Sequence, residues 1–233
     1  MAQLTKAKAS SSNMLCRREA LVQLLTCYEK LAADNQHLLQ ALINGAAVEQ
    51  WQHLPEDDAI DSSSGYQWFY HCHAPEDRGA LDASEHGHFH LFARGPSLAA
   101  LPKQLRTQDC LRPIYGASIE PSTRHLLCVA LNAKGVPIEI FTVNGWVTGD
   151  AMVDAEASAW LLQNMELSTG YEAIDIVLKN IVALFATEID EVLISRDHFL
   201  LENLAVSHAV LADQTIEILS SRKIDIDHCL RLL

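Results

Sequence analysis

Hydrophobic residues near the N-terminus recur at helical spacing. Apolar positions in the range 21–42 fall three or four residues apart, and the pattern stops at Gly45, a residue type that often terminates helices. We therefore predict a long N-terminal helix that begins near Asn13 and has a break at 34–35. The polar, serine-rich residues 1–12 predict a disordered tail.

The pattern changes after residue 65 from the helical period to the alternation typical of β-strands. The preceding segment 55–65 is acidic and rich in serine, which predicts a loop and an internal boundary. Residues 66–73 and 88–94 then predict two strands joined by a long polar connection. An antiparallel pair is the simplest arrangement of these strands.

A second pair of strands is indicated by a short hairpin. Residues 126–131 and 136–143 flank the loop 132–135, whose Gly135 can adopt the positive φ that a hairpin turn needs. The sheet is therefore expected to contain about four antiparallel strands.

The C-terminal region returns to helical spacing. Three helices are predicted there, over 154–165, 174–185 and 189–200. The short apolar run 216–219 fits either an edge strand or a helical turn.

These elements predict the α+β class, with an antiparallel sheet of about four strands and a long N-terminal helix and a helical C-terminal half packed on it. A chain of 233 residues that is 49% hydrophobic can bury one substantial core. We expect a single domain over 13–233. Its parts are a helical region 13–54, a sheet region 66–150 and a helical region 151–233.

Charge and cysteine content narrow the classes of partner and location. The 17 Lys and Arg residues against 30 Asp and Glu residues give a formal net charge of −13. An acidic surface repels phosphates and anionic lipid headgroups, so we expect neither nucleic acid nor a membrane as a partner.

The six cysteines follow no zinc-type or disulfide-type spacing, and no signal peptide is recognisable. Reduced thiols and a cytoplasmic location are therefore expected.

Five of the 11 histidines lie between positions 71 and 90, namely His71, His73, His86, His88 and His90. Residues i and i+2 of a strand point to the same face, so the first two share one face and the last three share another. Pairing of the two strands would make the imidazoles converge. All five are candidate metal ligands.

Imidazole is the commonest neutral metal ligand, so this cluster predicts a site for a divalent transition metal such as zinc, iron or copper. Glu85 can act as a further ligand or as an acceptor that orients a ring, whereas Cys72 points to the opposite face. Arg94 has the same parity along the strand as His88 and His90, so it either faces an anionic small-molecule substrate or makes a surface ion pair. If the protein is an enzyme, His88, Glu85 and Arg94 are the candidate catalytic residues. The sequence sets no oligomeric state.

The run 86–92 has the sequence H-G-H-F-H-L-F. It resembles the His-φ-His-φ-His-φ-φ signature of the histidine triad superfamily of nucleotide hydrolases and transferases, in which φ is apolar. The resemblance implies that His88 attacks an α-phosphate while His86 and His90 support it. Gly87 departs from the signature, because glycine stands at a position where the signature has an apolar side chain. After the metal-binding protein, a nucleotide hydrolase or transferase is the second hypothesis.

A longer pattern is similar to an uncharacterised bacterial family with the core E-x-G-H-F-H. The core here is 85–90, followed by Arg94, by Gly135 and Pro137, and by the run 144–149. This resemblance implies a single α+β domain and no known reaction.

A third hypothesis is a non-enzymatic domain in which the histidines form a structural or pH-sensing network. Clustered imidazoles would repel one another once they are protonated near their ordinary pKa of ~6.5.

Three further positions have two interpretations each: Asn144 and Trp146 either line a pocket or belong to a turn, and His125 either completes a metal shell or caps a strand. Three histidines have no partner at ligand spacing and are treated as background, namely His198, His208 and His228.

Overall fold

An antiparallel β-sheet forms the centre of the fold. The structure is a computed structural model, and it describes residues 2–43, 49–72, 85–106, 123–150, 152–204 and 208–232. The six strands in these ranges are β1 (Leu54–Asp61), β2 (Tyr66–Cys72), β3 (Glu85–Arg94), β4 (Thr123–Asn132), β5 (Pro137–Val143) and β6 (Ile218–Lys223). Each strand pairs with the next one along the chain, so the order in the sheet is the order in the sequence.

The expected antiparallel sheet is confirmed, but the estimate of about four strands is wrong. β1 occupies most of the acidic segment 55–65, which we interpret from the sequence as a loop. It escapes the pattern because it is an edge strand with only Ala59 and Asp61 buried. Its pairing with β2 is also irregular, and Asp58 within it has a φ of 55°. The second additional strand, β6, lies in the region predicted to be helical and includes part of the undecided run 216–219.

The helices surround this sheet. Among the described residues they are, in chain order, α1 (Ala2–Ala33), α2 (Gln40–Ile43), α3 (Gly95–Ala100), α4 (Gly145–Thr148), α5 (Ala155–Gln163), α6 (Glu172–Leu184), α7 (Ala186–Leu204) and α8 (Ile226–Leu232). Two short 3₁₀ helices cover Lys103–Arg106 and His208–Ala212. The three predicted C-terminal helices correspond to α5, α6 and α7. None of the described helices combines the length and apolar character that a membrane crossing requires.

The N-terminal helix differs from the sequence expectation at both ends. It begins at Ala2, within the segment 1–12 for which a disordered tail is predicted, and it ends at Ala33, short of Gly45. It stops beside the expected break at 34–35, where Asn35 adopts a left-handed φ of 53°. Leu24, on the apolar side of α1, is fully buried in the main core.

The two faces of the sheet have different roles. One face carries large apolar residues that form the main core with the helices, among them Trp68, Tyr70, Phe89, Leu91, Val129 and Ile140. A hydrogen bond of 3.0 Å from Trp68 Nε1 to Asp175 Oδ1 ties this face to α6. Because side chains alternate along a strand, the intervening residues of β2, β3 and β4 project from the opposite face. We call this second face the histidine face, because it carries His71, His88 and His90.

Candidate metal centre

Three histidines meet at one point of the histidine face. His71 on β2 is directly opposite His88 on β3, and His90 follows two residues later on the same side of β3. Their Nε2 atoms are 2.8 Å apart for His71 and His88, 3.0 Å for His88 and His90, and 3.2 Å for His90 and His71. All three residues are buried, with at most 7% of their surface exposed. We call these three Nε2 atoms the histidine triangle.

The size of the histidine triangle matches what a transition metal requires. Metal–nitrogen bonds to imidazole are ~2.0–2.1 Å long, and three nitrogens about 3 Å apart can all lie at that distance from one point outside their plane. The three side chains can therefore hold a metal ion in the positions they already occupy. An ion bound in this way would keep coordination positions on its far side for other ligands.

Glu85 determines the proton position on His88. Its Oε1 lies 2.7 Å from His88 Nδ1, and both side chains are almost completely buried. A carboxylate accepts hydrogen bonds, so Nδ1 carries the proton and Nε2 presents its lone pair to the histidine triangle. A carboxylate behind a histidine in this manner is the usual support of a metal-binding imidazole. Of the two roles considered for Glu85, the geometry fits the orienting acceptor.

A β-bulge brings Glu85 to the histidine face. Glu85 pairs with Asn132 and Gly87 pairs with Leu131, which leaves His86 as an extra residue in β3. Without this insertion, residues 85 and 88 would lie on opposite faces, since their separation is odd. The bulge therefore gives His88 its acceptor and turns His86 away.

His86 does not join the histidine triangle. Its side chain is exposed, and its Nδ1 lies 2.7 Å from the hydroxyl of Tyr70, on the main-core side of the sheet. Partial desolvation of the ring, with a smaller effect of His37, lowers the pKa of His86. Regular strand alternation would place His86 on the same face as His88 and His90, but the bulge breaks that alternation.

The other sequence candidates take different positions. His73 lies outside the described residues. Arg94 ends β3 and donates a hydrogen bond from NH1 to Gln67 Oε1. Cys72 packs against the main core, on the face opposite His71.

The second nitrogen of His90 faces another buried group on β4. His90 Nδ1 is 3.1 Å from His125 Nε2 and 3.3 Å from Cys128 Sγ, and these two atoms are 3.4 Å apart. Burial, together with the charge of Arg196, lowers the pKa of His125 to about 3, so its imidazole is neutral. His125 is thus a buried neighbour of His90 and not a solvated strand cap. The sequence indicates His125 as a residue that could complete a metal shell, whereas Cys128 does not stand out because it lies within an apolar run.

A cleft of about 420 Å³ reaches His71 and His90 from the surface. Trp51 and Trp146 stand at its wall, as do three acidic residues, Asp58, Asp150 and Glu217. Trp146 therefore lines a pocket, one of the two interpretations of its segment. Asn144 is instead structural: its amide donates to the carbonyls of Val210 and Ile216.

Comparison with known proteins identifies the family. The domain of unknown function DUF6969 matches residues 18–224, and the chain therefore belongs to this family. No curated protein and no solved structure matches the chain. Membership of an uncharacterised family is thus confirmed, whereas the E-x-G-H-F-H core and the bacterial origin stay predictions.

Proposed function

We propose that this DUF6969 protein binds one divalent transition metal ion through the Nε2 atoms of His71, His88 and His90. The observation that carries the proposal is the histidine triangle, in which three nitrogens lie within 3.2 Å of one another at a buried point. Zinc, iron and copper all accept imidazole ligands.

Proton positions favour a metal over a network of hydrogen bonds. In a neutral imidazole each Nε2 is either a donor or an acceptor. With three mutual contacts and only two kinds of atom, at least one contact must join two donors or two acceptors. Glu85 already makes the Nε2 of His88 an acceptor. A cation that receives all three lone pairs removes this conflict.

The surroundings of the site favour a metalloenzyme over a purely structural metal site. Three protein ligands leave coordination positions open, and the cleft leads from the surface to His71 and His90. A bound metal would supply a Lewis acid and lower the pKa of a coordinated water. The carboxylates of Asp58, Asp150 and Glu217 at the cleft favour a neutral or cationic small molecule over an anionic one.

Metal content tests the proposal directly. We expect the purified protein to contain at least one equivalent of metal by elemental analysis, or to take up at least one equivalent of zinc after chelation and dialysis. The double variant His88→Ala, His90→Ala should lose this equivalent, whereas the control His86→Ala should keep it, since His86 lies outside the histidine triangle. Folded wild-type protein that contains no metal and refuses added zinc, iron and copper would refute the proposal and leave the hydrogen-bonded network as the explanation.

The histidine triad hypothesis is less well supported. A nucleophilic His88 would need its Nε2 to face a phosphate, but this atom faces His71 and His90, and His88 is 1% exposed. His86, which the resemblance gives a supporting role, lies on the other side of the sheet. We therefore expect no hydrolysis of nucleotide phosphoramidates or dinucleotides in the presence of chelator. Turnover that His88→Ala alone abolishes would support the triad mechanism instead.

A further inference from the structure

We infer that His90 is shared between two metal ions, and that the second ion is bound by His90 Nδ1, His125 Nε2 and Cys128 Sγ. This second site goes beyond the proposed function and rests on it only in that the Nε2 of His90 holds the first ion. We call the three atoms the cysteine site. The result would be a buried two-metal centre bridged by one imidazole.

The geometry of the cysteine site fits a metal ion. Its three atoms are between 3.1 and 3.4 Å apart, and all belong to residues that are at most 2% exposed. Metal bonds of ~2.0–2.1 Å to nitrogen and ~2.3 Å to sulfur can be made to atoms at this spacing with small adjustments. Two imidazoles and a thiolate are a ligand set that zinc and copper accept. The cysteine site thus repeats the arrangement of the histidine triangle, with a sulfur in place of one nitrogen.

A second β-bulge assembles the cysteine site. Leu91 pairs with Leu127 and Phe92 pairs with His125, so Leu126 is an extra residue in β4. In a regular strand, residues 125 and 128 would lie on opposite faces. The insertion places both on the histidine face, beside His90, and bulges of this kind are frequent next to functional sites.

Aromatic packing holds the bridging ring in place. Phe69 stacks on His90 with ring centroids 4.7 Å apart, and Phe92 contacts His125 edge-on at 5.1 Å. His90 is therefore clamped between two strands with one nitrogen toward each group. Little rearrangement is needed for both nitrogens to bind.

Charge balance accounts for a second cation in so buried a place. Binding of the ion would displace two protons to solvent, one from the thiol of Cys128 and one from Nδ1 of His90, whose Nε2 is already bound. The thiolate and the imidazolate then carry two negative charges against the two positive charges of the ion. This compensation matters because the buried guanidinium of Arg196 acts on His125.

Cobalt titration of the metal-free full-length protein tests the inference. Co²⁺ bound to nitrogen alone gives only weak visible bands, whereas Co²⁺ bound to a thiolate adds an intense charge-transfer band in the near ultraviolet. We expect two equivalents of Co²⁺ per chain, with the intense band accompanying one of them. Cys128→Ser should lose that band and one equivalent. The control Cys27→Ser removes another buried cysteine, on α1, and should keep both.

The outcomes separate the two sites. One equivalent without the intense band overturns the shared site and leaves the proposed function standing, while no binding at all overturns both. These two results are measured on the wild-type protein and need no variant. Two equivalents whose intense band survives Cys128→Ser also overturn the inference. His71→Ala provides a further check, because it should remove the nitrogen-only equivalent and retain the thiolate band.

Discussion

Glu85 decides which nitrogen of His88 carries the proton, and this makes it the most informative single residue near the histidine triangle. Its carboxylate, 2.7 Å from Nδ1, both fixes the tautomer and increases the electron density on Nε2. The same carboxylate contributes negative charge beside a proposed cation. A neutral amide at this position would keep the size of the side chain, and its oxygen could still accept a hydrogen bond from Nδ1, but the negative charge that polarises His88 and balances the cation would be lost.

We therefore expect Glu85→Gln to weaken zinc binding by ~10–100-fold, the usual effect of removing such a partner. Competition with a chromophoric chelator measures the affinity. The matched control is Glu139→Gln on β5, which removes a half-buried carboxylate from the same sheet. Equal affinities for the wild type and Glu85→Gln would contradict the role assigned to Glu85.

The carboxylate of Asp61 organises the turn between β1 and β2. Burial raises its pKa, but hydrogen bonds from Ser63 and Ser64 outweigh burial and lower the pKa from 3.8 to about 2. The folded state thus prefers the ionised carboxylate. The ionised carboxylate stabilises the folded state fully when the pH is above 3.8, its pKa in the unfolded chain. This stabilisation is lost as the pH falls through about 2, its pKa in the folded protein.

Urea unfolding between pH 5 and pH 2 measures this contribution. We expect the wild-type free energy of unfolding to fall over that interval. In Asp61→Asn the fall should be smaller, because the amide does not titrate. The variant should also be less stable by ~1–2 kcal/mol at neutral pH, since it replaces a charged acceptor of several hydrogen bonds. Parallel pH profiles for the two proteins would show that Asp61 is not responsible.

At the scale of elements, the close approach of β2 and β3 depends on Gly87. A Cβ atom added there would lie 2.3 Å from the carbonyl oxygen of His71 and 2.5 Å from the hydroxyl of Tyr70. The first contact is with backbone, so the two strands would have to move apart. This movement would separate His71 from His88.

Gly87→Ala should accordingly destabilise the protein by ~1–3 kcal/mol and weaken metal binding as well. Urea unfolding and the chelator competition measure the two effects. Gly95→Ala is the control, because a Cβ there meets no atom within 4 Å. A Gly87→Ala protein with wild-type stability and affinity would mean that β2 and β3 tolerate the extra methyl group.

The same elements explain how far the sequence could predict the site. Alternation along regular strands is enough to bring His71 together with His88 and His90, and to exclude Cys72. Alternation predicts the wrong face wherever a bulge inserts an extra residue into a strand, as at His86 and at Leu126. Such an insertion cannot be recognised in the pattern of hydrophobic residues. For this reason the sequence leaves the role of Glu85 open. It also does not indicate Cys128 as a ligand, because this residue lies within an apolar run.

Metal binding is coupled to folding of the whole molecule, since the proposed ligands come from two strands, β2 and β3, whose side chains meet only in the folded sheet. An ion that binds the folded state and not the unfolded chain stabilises it by RT ln(1 + [L]/Kd), or about 2.7 kcal/mol at a free concentration of 100 Kd. Zinc should therefore raise the urea midpoint of the wild type, and chelator should lower it again. The double variant His88→Ala, His90→Ala should not respond, because its two lost ligands belong to the histidine triangle. A zinc response of equal size in this variant would place the stabilising ion elsewhere in the protein.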